Sequence, residues 1–137
     1  MRAVKPEDRE AFLQWPKAAV FSTVGSAGRV HSVLVWYLWD GEAFTIVTDR
    51  GSVKHRNVER SGRATIVVHE DVAYLSAEGP VAVYPADVET RLALWTRYMG
   101  EDVARTSVTA EATATMVALV LRPEHWIEVP ASFVNLG

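Results

Sequence analysis

Short apolar runs closed by tight turns set the first limit on what this chain can fold into. AAVFSTV (Ala18–Val24) ends in the turn GSAG, RVHSVLVWYLW (Arg29–Trp39) ends in Asp40-Gly41, and EAFTIVT (Glu42–Thr48) follows at once. Runs this rich in β-branched and aromatic residues favour strands, and Asp-Gly between two of them is a strong hairpin signal. Strands joined by such turns pair antiparallel. RATIVVHE (Arg63–Glu70) and AYLSAEGPVAVYP (Ala73–Pro85) extend the series, with Gly79-Pro80 as a bend or bulge. A sixth strand covers Met116–Val129, interrupted at Pro123. Six hairpin-linked strands with helices at the start, middle and late in the chain predict a closed or half-closed antiparallel barrel.

The helices have their own signals. Pro6 to Trp15 opens with proline and acids, turns Phe12, Leu13 and Trp15 inward, and stops at Pro16. Ser52 is an N-cap for a helix running to about Arg60. Asp87 caps another, whose stripe Val88, Leu92, Trp95 and Met99 is spaced for packing, with Gly100 as its stop. Glu101–Thr115, rich in Thr and Ala, fits either a helix or a loop. VLVWYLW and TIVV are apolar on both faces, so the sheet needs cover on its outer side, and a homodimer is the economical cover.

Composition removes several classes. At 137 residues, 49% hydrophobic, the chain suits a single domain over 1–137. A net charge of −3 gives no footprint for bulk nucleic-acid binding. With no cysteine there is no disulfide, thiolate zinc site or Cys nucleophile, which suits a cytoplasmic protein. The charged N-terminus lacks a signal-peptide core, and no apolar run approaches the ~20 residues of a membrane span. The histidines at 31, 55, 69 and 125 are not paired at metal-ligand spacing, and no G-x-S-x-G elbow appears.

One charge pattern stands out. The chain has 14 Lys plus Arg against 17 Asp plus Glu, yet Arg50, Lys54, Arg56, Arg60 and Arg63 face only Glu59 between positions 50 and 63. A strand end entering a helix offers unpaired amides and the positive end of the helix dipole, which attract phosphate. Thr48 and Ser52 add hydroxyls and Lys54 a mobile cation, with Arg50 and Arg56 near in sequence. Three charged hydrogen bonds give about 4.5–9 kcal/mol before association entropy, too little for free phosphate. A flat apolar part of the ligand must supply the rest. The rival reading is a solvated basic helix pairing with local acids. Trp36, Trp39, Trp95 and Trp126 are candidates for a ring-binding cleft, Trp36 first, although aromatics usually serve packing.

The ordered set of strand, G-x-x-G turn, strand ending Val-Trp-Tyr, Asp-Gly hairpin, T-x-x-x-S-x-K-x-x-N, and a strand from Arg63 resembles the pyridoxamine 5′-phosphate oxidase-like split β-barrels. It is most similar to their flavin- and deazaflavin (F420)-dependent oxidoreductase branch. The likeness runs from about Ala18 to Val83, and LRPEHWIEV resembles the closing strand. It implies a mainly β, six- to seven-stranded antiparallel split barrel with peripheral helices, forming a homodimer with the cofactor in an interface groove. Ser52, Val53 and Lys54 would hold the phosphate, and Val47 and Thr48 would touch the ring or phosphate arm. The segment from His31 to Trp36 would run under the ring, using backbone groups of Ser32 and Val33, and Asn57 matches the family's Asn after the Lys. His31 and Trp36 stand where the classical oxidases have basic residues (R-x-x-L-L-K), which disfavours oxidation of pyridoxamine phosphate and favours F420, with FMN as the alternative. The resemblance implies a reductase moving a hydride to or from a small organic substrate, with no dedicated acid–base residue. For F420, with its oligoglutamate tail, Arg50, Arg56 and Arg60 are further candidates. The competing readings are a non-catalytic flavin or F420 carrier, a haem-binding barrel, and a structural dimer whose basic helix binds a protein partner.

Overall fold

The computed structural model describes residues 6–109 and 111–130. Residues 1–5, which carry part of the N-terminal signal reading, lie outside the described residues. Among the described residues no helix is long and apolar enough to cross a membrane.

Among the described residues eight strands form, because two expected strands are each broken in two. In chain order they are β1 (Ala19–Val24), β2 (Val30–Val35), β3 (Leu38–Trp39), β4 (Phe44–Asp49), β5 (Arg63–Glu70), β6 (Ala73–Pro85), β7 (Met116–Leu121) and β8 (His125–Val129). All the pairings are antiparallel, in the order β2-β1-β5-β6-β7-β4-β3, with β8 also on β6. Only Trp36 and Tyr37 separate β2 from β3, yet these strands end opposite sides of that order. The sheet must therefore curl until its two ends meet, which makes it a split barrel.

The break at Trp36-Tyr37 corrects the expectation of one strand from Arg29 to Trp39. Tyr37 turns its ring into the core, its hydroxyl donates to the carbonyl of Leu13 at 3.2 Å, and its amide donates to the Tyr98 hydroxyl at 3.1 Å. Burial pushes the Tyr37 phenol up to about 12. The hairpin after β3 is closed by Asp40, whose Oδ1 accepts from the amides of Glu42 and Ala43, both at 2.8 Å. At the other long strand, β6 pairs with β8 over Tyr74–Glu78 and with β7 over Val81–Pro85. Gly79 sits at this crossing because a Cβ there would lie 2.1 Å from the Arg122 carbonyl oxygen.

Inside the barrel, Phe21, Phe44, Ile46, Ile66, Leu75, Leu119 and Leu121 are buried in one cluster with Leu13 and Val58 from the helices. The first helix, α1 (Pro6–Gln14), contributes Leu13, but Trp15 is 70% exposed rather than turned inward, because the helix ends before it. Helix α2 (Val53–Ser61) begins as expected at the Ser52 cap and stops at Gly62, whose φ of 74° closes it in the left-handed region. Helix α3 (Val88–Met99) departs from its expected stripe. Val88 and Met99 are exposed, whereas Leu94 and Arg91, only 2% exposed, face inward. The Arg91 guanidinium donates to the carbonyls of Ala86 (2.8 Å) and Thr109 (2.7 Å), which compensates its burial. Beyond Gly100 the chain forms α4 (Glu101–Ser107) and a 3-10 turn at Glu111–Ala114, so the Thr- and Ala-rich region is mostly helical.

Candidate functional site

Strand β2 is an edge strand, paired on one side only among the described residues, and α2 lies near it. Two depressions open along this strand. The first, a slot of about 340 Å³, is lined by Leu34, Val35 and Trp36 at the far end of β2, Val47 of β4, Lys54 of α2, and Leu94 and Trp95 of α3. The second, of about 610 Å³, lies at the near end of β2, between the Gly25–Gly28 turn and the outer face of α2.

The slot is walled by aromatics held from α3. Trp36 stacks on Tyr98 with centroids 4.8 Å apart and planes 6° from parallel, and Trp95 meets Trp36 edge-on at 6.0 Å. Tyr98 is itself fixed, its hydroxyl donating to the Lys17 carbonyl at 2.8 Å and accepting from the Tyr37 amide. Lys54 is half-buried against these apolar walls, and that burial holds its ammonium pKa below the ordinary lysine value, with Asp49 pulling the other way. A flat ring with an anionic neighbour would find an apolar floor and a poorly solvated cation here.

Between the two depressions stands the turn from β4 into α2. Thr48 Oγ1 donates to Ser52 Oγ at 3.0 Å, and the same oxygen accepts the His55 amide at 3.3 Å as the helix cap. The Val53 and Lys54 amides are first-turn donors of the kind a helix leaves without an internal partner.

The second depression is basic. Arg29, Arg56 and Arg60 line it with His31, Val53 and Asn57. Arg60 is anchored to the carbonyl of Val24. The Asn57 amide donates to Thr23 Oγ1 at 3.0 Å, tying α2 to β1. Arg29 and Arg56 are different. Every other described arginine has a carboxylate or carbonyl partner, including the pairs Arg9–Glu128, Arg63–Glu78, Arg105–Glu101 and Arg122–Glu42. Arg29 and Arg56 are exposed and have none among the described residues, and both border one depression.

The expected residues therefore fall into three places. Trp36, Val47 and Lys54 meet in the slot; Thr48 and Ser52 form the turn; His31, Val53 and Asn57 line the basic depression. Ser32 and Val33 line neither. Ser32 shares a 2.8 Å hydroxyl contact with Ser22 on the outer sheet face, and Val33 packs toward the core; of these two neighbours only one turns its backbone groups to the open edge of β2, the other bonding β1. Arg50 stands apart, its Nε donating to the Ala114 carbonyl, and it borders a different hollow with Val81 and Tyr84. Trp39 and Trp126 pack edge-on at 5.8 Å beside Phe44, away from the slot. Sequence reasoning missed Arg29, which a hairpin folds towards α2, Leu94 in the wall of the slot, and Tyr98 stacked on Trp36, for which no local signal existed. Among the described residues no three His, Asp or Glu gather as metal ligands.

The sequence profile described as pyridoxamine 5′-phosphate oxidase matches residues 6–130. Among curated proteins, none matches the sequence. Among solved structures, an F420 reductase is similar at 26% identity, covering 86% of this chain and 94% of its own, with a TM-score of 0.74. A conserved hypothetical protein of Mycobacterium tuberculosis is similar at 19% identity, 100% and 93% coverage and a TM-score of 0.79. A pyridoxamine 5′-phosphate oxidase-related, FMN-binding protein of Nostoc punctiforme follows at 16% identity, 80% and 72% coverage and 0.61.

Proposed function

The chain belongs to the pyridoxamine 5′-phosphate oxidase family, and on that premise we propose that it is an oxidoreductase binding F420, in preference to FMN, along the open edge of β2. The observation that carries the choice is the pair of unpartnered arginines beyond the turn at Ser52. From Val30 to Trp36 the strand rises about 20 Å at ~3.3 Å per residue, so slot, turn and basic depression follow one another along an extended ligand. FMN ends at its phosphate. F420 continues past it into a chain of glutamates, and only such a tail gives Arg29 and Arg56 something to bind. The similarity to an F420 reductase points the same way.

In this reading Trp36 and Val47 hold the ring, Ser52, Val53 and Lys54 hold the phosphate, and Arg29 and Arg56 hold the tail. The cofactor, when bound, supplies the ring that carries a hydride to or from a small organic substrate. The protein's share is position and electrostatics. Leu94 and Trp95 line the slot with apolar surface, and Lys54, poorly solvated, would bind an anion more strongly than an exposed lysine does.

We propose also that the working unit is a homodimer built on the outer face of the large sheet. The strand register sets Leu34 beside Val20, Val20 beside Val67, Val67 beside Ser76 and Ser76 beside Ile127, a mostly apolar row across five strands. Leu34 is 73%, Val30 68% and Ile127 60% exposed. Leu34 also belongs to the slot, so a second copy seated on this row would add to its wall.

Titration of purified protein with F420 and with FMN, followed by tryptophan fluorescence, tests the reading. Saturation at micromolar F420 with weaker FMN binding is expected, together with turnover of reduced F420 against a panel of quinones and enones. Binding without turnover would instead support a carrier, and a Soret band on adding haem a haem protein. Indifference to F420 and FMN alike would end the proposal.

A further inference from the structure

His55 is the buried titratable side chain to which the cofactor reading assigns no work. It is 8% exposed and lies one turn into α2, facing back toward the turn that precedes the helix. The Gly51 amide donates to its Nδ1 at 2.8 Å, and its Nε2 lies 3.0 Å from a carboxylate oxygen of Glu59. A ring nitrogen that accepts an N–H bears no proton, so the proton is on Nε2 and is donated to Glu59.

We infer that His55 is a positioning residue: as the Nε2–H tautomer it holds the Gly51 amide and so fixes the turn on which Ser52 and Lys54 stand. The inference rests on the cofactor reading for its functional consequence, though not for its chemistry. Gly51 has a φ of +83°, a conformation with little intrinsic preference over its alternatives in glycine. Something outside the residue must therefore choose it. The Ser52 amide donates to the Asp49 carbonyl at 3.1 Å, and Thr48 is bonded to Ser52, but neither bond touches the 50–51 peptide. The imidazole does. Without it that peptide plane can rotate between the two turn conformations open to glycine, and the entry into the Ser52 cap loses its fixed geometry even though Asp49 stays paired with Met116 in the sheet. Glu59 is a lesser partner, because its side chain is largely exposed and the contact is open to solvent screening.

Two measurements test this. First, ¹⁵N NMR of the wild-type imidazole should show a pyridine-like Nδ1 and a pyrrole-like Nε2; the opposite tautomer overturns the inference. Second, His55→Asn places an amide oxygen near the Nδ1 position, whereas His55→Ala leaves the Gly51 amide without its acceptor. With whichever cofactor the wild type binds, His55→Asn should stay within about 3-fold of wild-type affinity. His55→Ala should lose about 10-fold or more, the effect expected when a part-buried donor loses its partner. Both variants should keep the wild-type far-ultraviolet spectrum. Equal affinity for the two variants, high or low, refutes the role. If the wild type binds neither cofactor, the cofactor reading falls separately. Amide exchange at Gly51 then decides this inference, with protection expected in wild type and His55→Asn and rapid exchange in His55→Ala.

Discussion

Replacing Arg29 and Arg56 together by glutamine separates F420 from FMN more cleanly than any other change. Neither guanidinium has a partner among the described residues, so their removal strands no buried group and leaves the barrel core untouched. Stability should stay within about 0.5 kcal/mol of wild type, as for ordinary surface substitutions. The effect on binding follows from exposure. An open ion pair contributes about 0.2–1 kcal/mol, and the basic depression is open to solvent on one side. Two pairs near the upper end give about 1–2 kcal/mol, or a 5- to 30-fold weaker F420 complex. FMN, which ends before these residues, should change less than about 2-fold. Raising the ionic strength from about 0.05 to 0.5 M should shrink the F420 difference, because screened charges contribute less. Fluorescence titration of both proteins with both cofactors at two salt concentrations gives the full comparison. Equal losses for FMN and F420, or no loss for either, would refute the assignment of the basic depression to a tail.

Lys54→Met should weaken either cofactor by about 10-fold or more, since a charged hydrogen bond contributes ~1.5–3 kcal/mol. The same variant has a pH signature. Burial lowers the folded pKa of Lys54, so the folded chain binds its proton less well than the unfolded chain, and stability rises as pH climbs through the lowered value. Methionine removes that rise, and denaturant melts of the two proteins between neutral and alkaline pH would reveal it; superimposable profiles would contradict the burial. Gly79→Ala should cost about 3 kcal/mol, because the new methyl meets a backbone carbonyl rather than a flexible side chain, and urea unfolding measures it. If the proposed homodimer forms, Leu34→Glu should convert it to a monomer in sedimentation velocity, and a monomeric wild type would dispose of the interface.

What the sequence declared and what it hid differ in range. The Ser52 cap, the Asp40-Gly41 hairpin and the limits of β5 and β6 depend on neighbours a few residues away, and each was legible. The break at Trp36-Tyr37 depends on Tyr98, which is 61 positions later and supplies the acceptor for the Tyr37 amide. An apolar run carries no sign of that. Helix α3 misled for a related reason. Its apolar spacing indicated one face, but the face that packs includes Arg91, which a hydrophobic pattern reads as solvent-facing. Arg50 and Arg56 looked like companions by spacing. The turn at Gly51 sends Arg50 to the far side of the β4 end, while the β1–β2 hairpin brings Arg29 in its place.

The same contrast shows how a chain with a net charge of −3 would select the acidic ligand proposed above. Net charge governs long-range attraction, which a mildly acidic protein lacks. Binding responds instead to cations left uncommitted after folding. Most of the described arginines are committed: Arg97 closes the end of α1 through the carbonyls of Leu13 and Gln14, and Arg63 holds β5 to β6 through Glu78. Their partners absorb their fields, so they add little at a distance. Arg29 and Arg56, with Lys54 at the turn, keep theirs along one strand edge. A ligand aligned with β2 meets an apolar wall, a half-buried ammonium and two open guanidiniums in sequence. In the proposed function, specificity for an elongated anion would come from which arginines the fold leaves unpaired rather than from the total number of basic residues.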